Sequence, residues 1–218
     1  MYTNKALMSA WPVLGTIACA SACLALALSS AAQADDDRRP ERFTLTSNEF
    51  KDGAALPIGA IYNYTVAGTN AYPINGAVGD DMSPELTWTN APRHTHSFVV
   101  TLFDTTAGVT HWGMCNIPPE TTSLPEDAGI PDSGYGLQVV NVFSDQNYDG
   151  PCPPPNFPPN NHRYLFTVYA LSQDLDLYSP PNFPASALTL YRASVKAGRE
   201  GHILGSAVLA SYYSTTPQ

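Results

Sequence analysis

Four runs rich in β-branched and aromatic residues, at 97–103, 110–117, 137–143 and 164–171, are separated by stretches crowded with turn residues rather than by helices. That spacing excludes a regular βαβ alternation and predicts a mainly antiparallel β protein, with function gathered where its loops converge at one end of a sheet. Residues 43–47 and 85–89 read as weaker strands, and 68–81 and 149–161 as turn-rich connections. Twenty prolines and fifteen glycines, with only 13% charged residues, fit strands and loops better than helices. One helix is expected near the C-terminus. Pro184 suits its first turn, Ala187, Leu188, Leu190, Tyr191 and Val195 supply its apolar positions, and Gly198 ends it. Residues 203–213 are compatible with either strand or helix.

The N-terminus predicts the compartment. Lys5 is the only charge before Asp35, residues 13–28 are almost wholly apolar or small, and Ala32-Gln33-Ala34 offers a small-x-small cleavage site ahead of Asp35, Asp36, Asp37, Arg38 and Arg39. This is the order of a secretory signal peptide, with an apolar core short for a membrane span. The expectation is a leader at 1–34 and a single domain at 35–218 that is exported, periplasmic or secreted, with no span in the mature chain. The formal charge is −9, and loss of Lys5 alone makes it −10. So acidic a protein repels nucleic acid and anionic surfaces, while a local pocket for one small anion stays compatible with it. Cys19 and Cys23 leave with the leader. Cys115 and Cys152 remain, and the count permits a disulfide without requiring one.

Four places carry candidate chemistry. Asp104 ends the first strong strand, and His111-Trp112 opens the next. Tyr148-Asp149-Gly150-Pro151-Cys152-Pro153-Pro154 is a stiff turn in which Gly150 permits close backbone approach. His162-Arg163-Tyr164 begins the strongest strand, with His162 and Tyr164 on one face and Arg163 on the other. A phosphate or carboxylate needs donors, which imidazole N–H, phenol O–H and turn N–H groups supply. An acid beside them orients an imidazole and favours its charged form, or receives the amine of a zwitterionic head group.

In order along the chain, Ser83-Pro84-Glu85-Leu86-Thr87-Trp88, Ser97-Phe98-Val99-Val100 leading to Asp104, His111-Trp112 through Asn116-Ile117-Pro118, the Tyr148–Pro154 turn, His162-Arg163-Tyr164 and Phe166-Thr167-Val168-Tyr169-Ala170-Leu171 resemble the signature segments of the phosphatidylethanolamine-binding protein family, notably its bacterial Raf-kinase-inhibitor-like branch. The resemblance runs from about residue 43 to 213. It implies a large antiparallel sheet packed on a smaller one, with peripheral and C-terminal helices. It also implies a pocket for a small anionic ligand or phospholipid head group at Asp104, His111, Gly150, Cys152, His162 and Tyr164, with Trp88 beneath or beside it. It implies binding rather than turnover, with no cofactor. Where the family has Asp-Pro-Asp-x-Pro, this chain has Asp104-Thr105-Thr106-Ala107-Gly108, a rim without proline.

Other classes find less support. His94 and His96 would share a strand face if that segment were extended, yet no His/Cys cluster has metal-site spacing. There is no Gly-x-Ser-x-Gly elbow, P-loop or Gly-x-Gly-x-x-Gly turn. The alternative to a pocket is an interaction module, an inhibitor of an extracytoplasmic protease or kinase that presents the Pro-rich loop at 151–161 to a protein partner.

Overall fold

The computed structural model describes residues 41–63, 79–154, 158–177, 179 and 185–214. The expected leader and most of the 68–81 connection lie outside the described residues. In chain order the elements are β1 Thr44–Thr46, β2 Ala54–Ala55, β3 Leu86–Thr89, β4 Ser97–Asp104, β5 Val109–Ile117, β6 Ser123–Leu124, β7 Leu137–Gln138, β8 Asn161–Leu171, α1 Ala187–Arg199 and β9 Ile203–Ser214. They form a three-stranded sheet, β1-β3-β6, and a six-stranded sheet, β2-β9-β8-β4-β5-β7. All pairings are antiparallel except the short β2–β9 contact. The expected large sheet on a smaller one is what forms, and residues 203–213 resolve as strand.

Alternation along β4 sorts the core into two. Phe98, Val100 and Leu102 face inward, joining Trp88, Trp112, Phe166, Val168 and Leu209 between the sheets. Val99 faces outward and packs with Cys115, Val139, Leu171, Leu175 and Leu190 beneath α1. The helix starts one residue after Ser186, whose side chain and that of Thr189 form a reciprocal capping box. The start therefore falls beyond Pro184, which lies outside the described residues. Gly113 lets the helix seat closely on β5, because a Cβ there would stand 2.7 Å from both Leu190 and Val139. Thr101 and Phe103, farther along the outer face of β4, have intermediate and open exposure.

Two further expectations are corrected. The run at 137–143 is strand only at Leu137–Gln138. Beyond it the Asn141 carboxamide oxygen accepts the Phe143 and Asp145 N–H groups, so the apolar run bends into a turn. His94 sits in a turn with φ 67°, so it and His96 do not share a strand face.

Candidate functional site

The inner face of the large sheet continues past the apolar core to Asp104, the last residue of β4, which lies opposite Tyr164 of β8. His162 precedes Tyr164 by two residues, so period-two alternation brings all three to one face. His111 arrives differently. Leu102 pairs with Trp112 and Phe103 with Thr110, which leaves His111 as an extra residue in β5, a bulge. A bulge re-aims side chains, and here it turns His111 towards Tyr164, with ring centres 5.5 Å apart. The His162 and Tyr164 rings are 6.3 Å apart. Asp104, His111, His162 and Tyr164 are all buried.

Hydrogen bonds fix the two imidazoles. His162 Nδ1 lies 2.6 Å from Asp104 Oδ2, and the other carboxylate oxygen accepts the Thr106 and Ala107 N–H groups at 2.8 and 2.9 Å. The loop at 104–108 thus closes on Asp104 itself, without the family's prolines. His111 Nδ1 donates to the Asp149 carbonyl at 3.0 Å. A carbonyl can only accept, so the neutral ring carries its proton on Nδ1 and a lone pair on Nε2. Burial lowers the His111 pKa from its ordinary value, opposed by that bond to Asp149 and by the nearby Asp104 charge. The Tyr164 hydroxyl is buried beside the Asp104 carboxylate, without a hydrogen bond of good geometry. Burial and then the Asp104 charge raise its pKa, so it remains an O–H donor at every ordinary pH.

The turn around Gly150 is built for fit. A Cβ on Gly150 would lie 2.4 Å from the Ala60 carbonyl and 2.5 Å from the Tyr62 nitrogen. Its N–H is already used, donating to Asp81 Oδ1 at 2.7 Å, so the expected turn donor at this position is occupied by a carboxyl of the chain itself. Burial raises the Asp81 pKa to about 8, opposed by the Gly150 bond and helped by Asp149. Asp149 rises to about 6, again through burial, with the Asn141 amide at 2.6 Å acting against it. Cys152 is pushed up to about 12 by burial and by the Asp81, Asp149 and Asp104 charges, so it stays a protonated thiol. Cys115 and Cys152 are not bridged: Cys115 lies in the cluster beneath α1, and Cys152 packs against the core between the sheets.

Six of the seven expected residues therefore belong to this end of the sheet, with Gly150 as a packing residue and Cys152 as a neutral wall. Trp88 does not. It packs edge-on against Phe98, six residues before Asp104 and about 20 Å away at the usual rise of a strand. Asp81, Asp149, Asn141, Tyr62 and Phe143 were not anticipated. Tyr62 stacks on Phe143 at 4.8 Å, and Phe143 meets His111 edge-on at 5.5 Å. Asp149 lies inside the Tyr148–Pro154 turn and Asp81 two residues before Ser83, but neither carries a local signal of burial. Among the described residues no group of three or more His, Cys, Asp or Glu has the arrangement of a metal site.

Comparison with known proteins bears on the family and the fold. The family model for phosphatidylethanolamine-binding protein matches residues 46–214. The UPF0098 protein YbhB of Escherichia coli is 38% identical over 136 residues, covering 58% of this chain and 77% of YbhB. A UPF0098 protein of Methanothermobacter thermautotrophicus is 35% identical over 142 residues, covering 62% of this chain and 84% of its own. The crystal structure of E. coli YbcL, described as a new member of the mammalian PEBP family, superposes with a TM-score of 0.62 at 30% identity, over 79% of this chain and 98% of YbcL. With nearly all of its described fold inside the matched segment, this chain belongs to the phosphatidylethanolamine-binding protein family.

Proposed function

We propose that this chain is an exported binding protein that holds a small anionic group, phosphate-like or the head group of a phospholipid, without turning it over. The observation that carries the reading is the convergence of the Tyr164 hydroxyl with two imidazoles whose Nδ1 atoms are both engaged. Each ring then has only Nε2 to offer a ligand. With both rings neutral the cluster holds the Tyr164 O–H and two imidazole lone pairs. Protonation of His111 adds a second donor and a positive charge, which suits a tetrahedral oxyanion.

Anion binding is therefore coupled to proton uptake. Because His111 is harder to protonate than a free imidazole, affinity rises as pH falls and weakens as pH climbs. Asp81, with its pKa near 8, and Asp149, near 6, shed negative charge over the same descent and add to the trend. The apolar run at 13–28 followed by Ala32-Gln33-Ala34 supports export.

Calorimetric titration with phosphate and phosphoethanolamine tests the reading. His111→Gln and His162→Gln are each expected to weaken binding about tenfold or more, the usual cost of a charge-assisted hydrogen bond. Asp104 keeps its Thr106 and Ala107 bonds in the second variant, so that fold is expected to survive. Unchanged affinity in both variants would remove the two imidazoles from the site.

A further inference from the structure

The outer face of the large sheet carries a groove of about 660 Å³ beside α1, within the volume range of about 300–1,000 Å³ usual for small-molecule sites. Phe103, Val109 and Leu165 are among its floor residues, and Leu188, Leu190 and Tyr191 among its helix wall; none of the lining residues is charged. In a chain of net charge −9 such a surface is conspicuous. Leu188 and Tyr191 are 55% and 67% exposed, and Phe103 38%.

The groove begins where the candidate site ends. Phe103 lines it and Asp104, the next residue, faces the site. Gly108 and Val109 line it, while the Thr106 and Ala107 N–H groups close on Asp104. Val142 lines it, and Phe143 packs on His111. Arg163, exposed between His162 and Tyr164, falls by alternation on the same outer face as Leu165 and Thr167, at the end nearest the site. The floor offers a peptide nothing to pair with, because β4 is hydrogen-bonded on both sides by β5 and β8, and β8 by β4 and β9. An alkyl chain needs no such partners.

We propose that this groove holds the acyl chain of a lipid whose phosphate-bearing head lies at His111, His162 and Tyr164, the chain crossing the rim formed by the 104–109 loop. The inference rests on the head-group reading above and extends it from an anion to an amphiphile.

Binding of methyl, butyl, hexyl and octyl phosphate to the purified protein separates the two. Methyl phosphate reads the head site alone. Affinity is expected to climb with chain length, by up to about fourfold for each methylene covered. Ser194→Trp, which fills the groove from the helix side, and Tyr191→Asp, which charges its mouth at an exposed position, are expected to flatten that climb and leave methyl phosphate unaffected. A flat series in the unaltered protein overturns the inference and spares the head site. Octanol binding that both variants abolish, with no methyl phosphate binding, keeps the groove and sinks the head-group reading. If instead the variants shift the sedimentation coefficient and not the affinities, the face is a contact between copies of the chain and the inference fails.

Discussion

Asp81 adopts φ 58° and receives the Gly150 N–H on its Oδ1 at 2.7 Å, a bond that a neutral carboxyl or an amide can also accept, less strongly than a carboxylate. An acid whose folded-state pKa is raised holds its proton more tightly folded than unfolded. Stability is therefore greatest below the unfolded value of 3.8 and is lost as pH climbs towards about 8. Asp81→Asn keeps the bond, tolerates the left-handed backbone and removes the charge. Allowing for its partial exposure to solvent, the substitution is expected to raise the melting temperature by about 2–8 °C at pH 9 and little at pH 5, as thermal denaturation at the two pH values will show. Gly150→Ala is expected to do the reverse at any pH. Its Cβ would press on backbone atoms of residues 60 and 62, costing about 3 kcal/mol, measurable by urea unfolding.

Strands β4, β5 and β8 were legible in their composition, and so was the face shared by His162 and Tyr164, because alternation is local. The bulge at His111 was not. It is a mismatch of register between β4 and β5, and one strand's residues do not record how its neighbour is paired. The run at 137–143 misled for a related reason. Its Leu, Val and Phe residues have strand propensity, but the Asn141 side chain competes for the backbone and turns it, carrying Phe143 to His111. Trp88 shows that a signature segment need not be a site segment. It sits on β3 in the smaller sheet, paired with Leu45, and packs on the opposite end of β4 from Asp104. Trp88→Phe is accordingly expected to cost about 1–3 kcal/mol in stability through lost packing, while phosphate affinity, read by calorimetry, stays unchanged. A loss of affinity without loss of stability would return Trp88 to the pocket.

Across the whole molecule the large sheet separates two tasks by face. Inward, apolar packing against the small sheet fixes the strands whose ends hold Asp104, His111, His162 and Tyr164. Outward, α1 covers the half around Val99 and leaves the half around Phe103 open. In an acidic chain an anion is favoured in such a place by protonation at the point of contact, and His111, Asp81 and Asp149 are the groups whose shifted pKa values serve it. The direct measurement is proton uptake on binding sulfate, a tetrahedral anion whose own charge is constant near neutral pH. Calorimetry is run at pH 7 in buffers of different ionisation enthalpy. Net uptake of protons with each sulfate bound, reduced in His111→Gln, is the expected result. Sulfate binding with no proton uptake, or with release, would contradict the account.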